Sequence, residues 1–210
     1  MKILNSYKPE LKNLPENPFE KLSHPDPLIF LLRHGRIKDH ETKRFIGATD
    51  VELDPMGIDQ ALYWKKAFSS LNFEAVHSSS LQRCTRTAEL IANDKKIITS
   101  PALNEIHMGK WDGCSFDQIK QQSAKEFEKR GKNLDTYKTP GGESFHDTSC
   151  RAVPYFKDCA TTLKNNILFV THAGVIRVIL CHLLGIKLAD LFQIKISYAQ
   201  LFVIQPDLPS

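Results

Sequence analysis

The 210-residue sequence has little cysteine and little net charge. Its five cysteines form no C-x-x-C pair, and none combines with histidine at zinc-finger spacing. We therefore expect reduced thiols, no disulfide and no metal. Lysine and arginine together number 28 and aspartate and glutamate 24, a balance too even to indicate a nucleic acid partner. It suits an anionic small molecule, provided that the positive charge is concentrated in one cleft.

Long hydrophobic runs are also absent. The longest candidate, residues 175–186, is too short to span a membrane and contains Arg177 and His182. The first residues lack the apolar core of a signal peptide. We therefore expect a cytoplasmic protein without a membrane partner. Hydrophobic residues make up 41% of the chain and charged residues 25%, which is typical of a globular domain.

The chain divides into a polar, proline-broken arm, residues 1–27, and one domain, residues 28–210. The arm is predicted to be extended and loosely packed. In the domain, strands are predicted at residues 28–32, 75–78, 96–99, 167–170 and 201–204, the last at an edge of the sheet. Five helices are predicted. The first covers residues 55–70 with Asp54 as its N-cap, and the second begins after an N-cap at Ser79 or Ser80 and ends at residue 93. The others cover residues 116–130, ended by Gly131; 143–163, interrupted by Pro154; and 174–184. This alternation predicts an α/β fold, a three-layer sandwich with a mostly parallel central sheet and helices on both faces.

Three of the predicted strands run into polar segments that contain arginine or histidine. Arg33 and His34 follow the first strand, Arg83 lies in the first turn of the helix after the second, and His172 follows the fourth. Ligands of such sheets bind beyond the carboxyl ends of the strands, so these four side chains are expected to meet there. Two guanidinium groups, two imidazoles and helix N-termini are suited to a phosphate dianion. Each residue alone has a plain structural explanation, such as a solvated loop or helix side chain.

The order and spacing of six motifs resemble the histidine phosphatase superfamily, which includes cofactor-dependent phosphoglycerate mutase. The resemblance covers residues 28–205 and implies the phosphoglycerate mutase-like sandwich with a helical lid at about residues 103–150. The motifs are Leu32-Arg33-His34-Gly35; Phe45-Ile46-Gly47-Ala48-Thr49-Asp50 with Leu53-Asp54-Pro55-Met56-Gly57; Ser79-Ser80-Leu81-Gln82-Arg83-Cys84; Asn104-Glu105-Ile106-His107-Met108-Gly109; Pro140-Gly141-Gly142-Glu143-Ser144; and Thr171-His172-Ala173-Gly174-Val175-Ile176-Arg177.

The resemblance implies catalytic roles for His34 and Glu105. His34 would be the nucleophile that forms a phosphohistidine. Glu105 would protonate the leaving alcohol and then accept a proton from water, although a surface carboxylate is its plain alternative. Arg33, Arg83 and His172 would bind the phosphate oxygens. The predicted substrate-binding residues are Ile46, Gly47, Met108, Ala173 and Gly174, and neither a metal nor another cofactor is expected.

Departures from the mutase pattern favour hydrolysis. Arg36-Ile37 stands where many members carry Glu-Thr or Glu-Ser, and no equivalent of the basic residues for a second phosphate is evident. The segments 105–113 and 140–145 look most like α-ribazole phosphatase, an enzyme of cobalamin assembly. Met108 and Trp111 would then contact an apolar leaving group, unless Trp111 only anchors the lid by packing.

The predicted function is metal-independent hydrolysis of a small phosphomonoester, with α-ribazole 5′-phosphate as the named candidate. A phosphoglycerate mutase or a sugar bisphosphatase is the first alternative. A non-catalytic module that binds a phosphorylated ligand is the second, and its mark would be the loss of His34 or Glu105, both of which are present. The oligomeric state, with a homodimer as one option, and the role of the arm stay open.

Overall fold

A computed structural model describes residues 1–11, 18–19 and 26–207. Within them, no helix is long and apolar enough to cross a membrane. The strands are β1 (Lys2–Tyr7), β2 (Ile29–Arg33), β3 (Phe73–Ser78), β4 (Ile97–Thr99), β5 (Asn166–Thr171) and β6 (Leu201–Gln205). The helices are α1 (Pro55–Ala67), α2 (Gln82–Ala92), α3 (Phe116–Gln122), α4 (Ala124–Lys132), α5 (Phe145–Thr161) and α6 (Ala173–Leu184). Short 3₁₀ helices cover Pro101–Leu103, Gly109–Trp111 and Leu188–Gln193.

The strands form one six-stranded sheet in the order β1-β6-β2-β5-β3-β4. β2, β5, β3 and β4 are parallel neighbours, and β6 pairs antiparallel with both β1 and β2. The mostly parallel sheet is thus confirmed. Arg33 of β2 lies opposite Thr171 of β5, and Val170 opposite Ser78 of β3. The ends of three strands therefore lie side by side, as the sequence predicts.

Alternate residues of the central strands face two separate hydrophobic cores. Leu31 and Phe169 face a core formed with α5, α6 and the segment 103–119. Leu32 and Val170 face a core formed with α1 and α2. Because successive side chains of a strand point to opposite faces, strands covered by helices on both sides read as continuous apolar runs. The three-layer sandwich is confirmed.

The N-terminal arm and the last strand correct two predictions. Residues 2–7 of the arm form β1, which covers β6, so β6 lies inside the sheet rather than at its edge. The β1–β6 hydrogen bonds could not be foreseen because the arm shows no strand-like alternation. Phe19 of the arm is buried against Phe30 and Trp64. The rest of the predicted loose arm, residues 12–17 and 20–25, lies outside the described residues.

Helix ends follow local capping chemistry in some places and tertiary packing in others. Asp54 caps α1 as predicted, with its Oδ1 accepting a bond of 2.7 Å from the Gly57 N–H. Neither Ser79 nor Ser80 is the N-cap of α2, because the helix begins later, after Leu81. The predicted helix at 116–130 is two helices that meet at Ser123, and Gly131 lies inside the second. Beyond the break, Phe127 of the second helix packs in the same aromatic cluster as Phe45.

Candidate active site

The polar side chains predicted to meet do so at the carboxyl ends of β2, β3 and β5. His34 follows β2, Arg83 lies in the first turn of α2 after β3, and His172 is the N-cap of α6 after β5. The rings of His34 and His172 are 5.1 Å apart between centroids. Both rings and the Arg83 side chain are buried. Helix N-termini add positive potential to this edge of the sheet.

His34 is held as a neutral imidazole. Its Nδ1 lies 2.8 Å from the Gly35 carbonyl oxygen, a partner that can only accept, so Nδ1 carries the proton and Nε2 a lone pair. Burial, with Arg33 and Arg83 nearby, holds the pKa of His34 well below its ordinary value. The imidazole is therefore uncharged around neutral pH, as nucleophilic attack requires.

Arg83 is oriented by three partners that leave part of its guanidinium unused. Nη1 donates to the Thr49 carbonyl and Nη2 to the Gly47 carbonyl, each at 2.8 Å, and Nε donates to Nδ1 of His172 at 3.2 Å. A guanidinium has five N–H donors, so two stay available. Gly47, predicted to bind substrate, thus acts through its backbone oxygen on Arg83.

Arg33 has a buried Nε with no hydrogen-bond partner among the described residues. Its Nη1 donates to the Ile196 carbonyl at 3.1 Å, and its guanidinium lies 3.8 Å from the centroid of the Tyr198 ring. A buried, unpaired cationic donor is costly, and an oxyanion is the partner that satisfies it best. The donor set therefore fits a phosphate group.

His172 is part of a hydrogen-bond chain that leads to the loop of Glu105. Because its Nδ1 accepts from Arg83, its Nε2 carries the proton and donates to Ser79 Oγ at 2.7 Å. Ser79 Oγ donates in turn to Asn104 Oδ1 at 2.8 Å. Both ring nitrogens thus have protein partners, and the geometry makes His172 an orienting group for Arg83. Its direct contact with phosphate stays a prediction.

The Glu105 carboxylate is fixed by two backbone N–H groups. Oε1 accepts from Ile106 at 3.0 Å, and Oε2 accepts from Gly174 at 3.2 Å. A Cβ at Gly174 would overlap Oε1, so Glu105 can hold this position only while residue 174 is glycine. Gly174 therefore shapes the position of the carboxylate, and neither it nor Ala173 lines the cavity described below.

Arg151 on α5 fixes the backbone that carries Glu105. Its Nη1 donates to the carbonyl oxygens of Ala102 at 2.9 Å and Asn104 at 2.7 Å, and its Nη2 donates to that of Glu105 at 3.2 Å. Nε and Nη2 also form a two-pronged ion pair with Glu143, both at 2.8 Å. Glu143 and Ser79 belong to motifs quoted above, but no local pattern marks Arg151 or Tyr198 as site residues.

Glu105 and His34 line one cavity of about 400 Å³. Arg33, Arg83 and Ile46, which were predicted, line it too, together with Tyr198 and residues 37–40 and 42–44. Met108 and Trp111 do not: both are buried in the core shared with α5 and α6, where Trp111 packs near Phe45, Phe127 and Tyr137. For Trp111 the geometry favours the packing role.

Cys84 adjoins Arg83 but has the environment of a packing residue. It is fully buried, and burial raises the pKa of its thiol far above the ordinary value. Only the thiolate is a good nucleophile, so this environment suppresses thiol chemistry. Among the residues that the structure describes, no three side chains of histidine, cysteine, aspartate or glutamate form a group that could hold a metal ion.

The chain is similar in sequence and in fold to several known proteins. The chain is 28% identical over 178 residues to the 2,3-bisphosphoglycerate-dependent phosphoglycerate mutase of Cytophaga hutchinsonii, covering 81% of this chain and 84% of that protein. Its fold matches the α-ribazole phosphatase of Shigella flexneri with a TM-score of 0.78 and 24% identity, over 85% and 90% of the two chains. It also matches a phosphoserine phosphatase of Entamoeba histolytica, with a TM-score of 0.75 and 25% identity, over 85% and 90%.

The family model of the histidine phosphatase superfamily (branch 1) matches residues 29–208, from the first residue of β2 to beyond the end of β6. This range contains all six motifs and every side chain that lines the cavity. The family includes both phosphatases and mutases. The chain belongs to the histidine phosphatase superfamily.

Proposed function

We propose that this protein hydrolyses phosphomonoesters through a phosphohistidine formed on His34, without a metal. The observation that carries the proposal is the bond from His34 Nδ1–H to the Gly35 carbonyl, which leaves the Nε2 lone pair for phosphorus. Unused donors of Arg33 and Arg83 flank the same cavity. They would bind the equatorial oxygens and offset the charge that develops in the transition state.

In the first step, Nε2 of His34 attacks phosphorus and the bond from phosphorus to the ester oxygen breaks. The leaving oxygen takes a proton from Glu105, which lines the same cavity. The phosphorylated ring carries a positive charge, and this charge strengthens the hydrogen bond from Nδ1–H to the Gly35 carbonyl. The products are a free alcohol and phosphorylated His34.

In the second step, water attacks phosphorus and the phosphorus–nitrogen bond breaks. The Glu105 carboxylate, ionised by the first step, accepts the proton from water. The Nε2 lone pair returns, and inorganic phosphate leaves. The proton that Glu105 gives to the alcohol in the first step is thus replaced in the second.

The experiment that tests this proposal traps the intermediate. Rapid quenching with a ³²P-labelled phosphomonoester should give acid-labile, base-stable label on the protein, and His34→Ala should remove both label and turnover. His182→Ala, at an exposed histidine near the end of α6, is the control that should keep both. The assay is run with and without EDTA, and equal rates are expected. Label that persists in His34→Ala, or activity lost to EDTA and restored by one metal, would contradict the proposal.

The proposal also concerns the identity of the alcohol that the physiological substrate carries. The lid motifs support α-ribazole 5′-phosphate, but Met108 and Trp111, the side chains expected to contact its base, do not line the cavity. The name of the Cytophaga hutchinsonii relative supports phosphoglycerate mutase activity instead. Measuring phosphate release and interconversion of phosphoglycerates on one sample separates hydrolysis from transfer. Ligand binding without either product would favour the non-catalytic alternative.

A further inference from the structure

Arg33 is oriented by an aromatic ring and by a single hydrogen bond to the described residues. Its guanidinium lies 3.8 Å from the centroid of the Tyr198 ring, and its Nη1 donates to the Ile196 carbonyl at 3.1 Å. Arg83 and Arg151, in contrast, are each held by three or more hydrogen bonds. One hydrogen bond does not fix the plane of a guanidinium, so Arg33 depends on the ring for its orientation.

An aromatic face is well suited to an arginine that has to bind a phosphate group. A carboxylate partner would occupy the N–H donors of the arginine and offset the positive charge that the phosphate needs. A ring instead contacts the flat face of the guanidinium and leaves the donors at its edge available. Nε of Arg33 is indeed buried and has no partner in the described part of the chain. Tyr198 lines the same cavity as His34, so this donor is held beside the nucleophile.

The Tyr198 ring belongs to a strained turn. The Gln200 N–H donates to the Ser197 carbonyl at 3.3 Å, and Ala199 between them has a φ of 50°, in the left-handed region that favours glycine. The fully buried Trp64 donates from Nε1 to the Ala199 carbonyl at 2.8 Å. A backbone conformation that costs free energy persists only where its surroundings enforce it, and such strain is concentrated at functional sites.

The same turn is bonded to the backbone of both residues that it serves. The Arg33 N–H donates to the Gln200 carbonyl, and the Ala199 N–H donates to the His34 carbonyl, each at 3.0 Å. The ring, the guanidinium and the nucleophile are therefore carried by one hydrogen-bonded unit. Their relative positions are set by this backbone before any substrate binds.

We infer that Tyr198 is a positioning residue for the phosphate site. Its ring fixes the plane in which the Arg33 guanidinium binds phosphate oxygens, and the turn of residues 197–200 fixes the place of the ring. The inference rests on the proposed function, because it takes the phosphate to bind beside His34. Tyr198 acts through Arg33, so the effect of losing its ring depends on which side chain occupies position 33.

The first test separates the ring of Tyr198 from its hydroxyl. Tyr198→Leu removes the aromatic face and should lower kcat/KM for a phosphomonoester by about tenfold. Tyr198→Phe keeps the face and should stay within about twofold of the unchanged protein. Phe192→Leu is the matched control, because Phe192 is an exposed ring 4.9 Å from the Arg177 guanidinium and does not line the cavity. Its loss should leave kcat/KM unchanged. If Tyr198→Leu does not fold, Tyr198→Gln, which also lacks a ring, takes its place.

A double-mutant cycle tests whether Tyr198 acts through Arg33. Arg33→Lys replaces the planar guanidinium by a compact ammonium, which cannot stack on a ring in the same way. Tyr198→Leu should therefore cost about tenfold in the presence of Arg33 and about twofold or less in the Arg33→Lys background. Additive losses would mean that Tyr198 contacts the substrate directly or only supports the fold, and would overturn the inference.

Binding of inorganic phosphate separates the inference from the proposed function. Calorimetry measures this binding on the full-length protein without turnover. Tyr198→Leu should weaken it by about tenfold, whereas Tyr198→Phe and Phe192→Leu should not change it. If no ester is hydrolysed but phosphate binding follows this pattern, the proposed function fails and the inference stands. Equal phosphate binding in all variants, or equal losses in Tyr198→Leu and Tyr198→Phe, would overturn the inference and leave hydrolysis intact.

Discussion

Replacing Gly174 by alanine should disable Glu105 as a proton donor without unfolding the protein. A Cβ at this position would overlap Oε1 of Glu105 and lie 3.1 Å from its Cδ, inside ordinary contact distance. The carboxylate would have to retreat by about 1 Å, a displacement that can cost about 10²-fold in rate. This corresponds to about 2.7 kcal/mol of transition-state stabilisation.

The assay is single-turnover phosphorylation of His34 with two substrates. An alkyl phosphate needs a proton on its leaving oxygen, whereas a nitrophenyl phosphate leaves as a stable phenolate and needs it far less. Gly174→Ala should therefore slow the alkyl ester by about 10²-fold and the aryl ester by much less. Glu105→Gln should show the same pattern, and combining the two changes should add little, because both act through one carboxylate.

Gly131→Ala is the matched control for folding. Gly131 lies in α4, and outside the backbone of its own helix no atom lies within 4 Å of the place that an alanine Cβ would take. Alanine there should keep full activity and raise stability by about 0.5–1 kcal/mol. Full alkyl-ester activity in Gly174→Ala would refute the assignment of Glu105 as the acid. Equal losses with the two esters would mean that Glu105 positions the ligand or the lid.

Three further outcomes follow from the site. Arg151→Lys loses the two-pronged ion pair with Glu143 and most hydrogen bonds to the loop of Glu105. It should therefore slow phosphorylation by the alkyl ester by about tenfold or more, and by the aryl ester much less. An equal loss of rate with both esters would mean that Arg151 has only a structural role. Cys84→Ser should keep most activity while Arg83→Ala loses nearly all, and the reverse order in a steady-state assay would favour thiol chemistry. Because the pKa of His34 is lowered in the folded protein, the unfolded chain binds more protons below pH 6.5. The free energy of unfolding should therefore be full above pH 6.5 and fall below it by up to about 1.4 kcal/mol per pH unit. Denaturant titrations should show a smaller dependence of this free energy on pH for His34→Gln, and an unchanged dependence would contradict a neutral His34.

The strand ends show how much of the site can be predicted from sequence. Continuous apolar runs before Arg33 and His172 identify buried parallel strands, and such strands must end at a shared edge. Asp54 was predictable because a cap acts on its own helix. These features depend on residues that are neighbours in sequence, so a local sequence pattern predicts them.

Features that depend on distant contacts could not be predicted in this way. Arg151 bonds to carbonyl oxygens about 50 residues away, and on α5 it looks like any half-exposed helical arginine. The break at Ser123 depends on where Phe127 packs, and the inner position of β6 depends on hydrogen bonds to residues 2–7.

The pairing of β1 with β6 also bears on self-association. β6 presents four consecutive buried apolar residues, Leu201 to Ile204, and its outer backbone groups are satisfied by β1. A flat, apolar strand with a free edge is a template for pairing with another copy of itself. The opposite edge, β4, is only three residues long and offers little to pair with. We expect a chain that lacks its first eight residues to keep every side chain that lines the cavity and yet to aggregate as its concentration rises, which would make β1 a protection against aggregation.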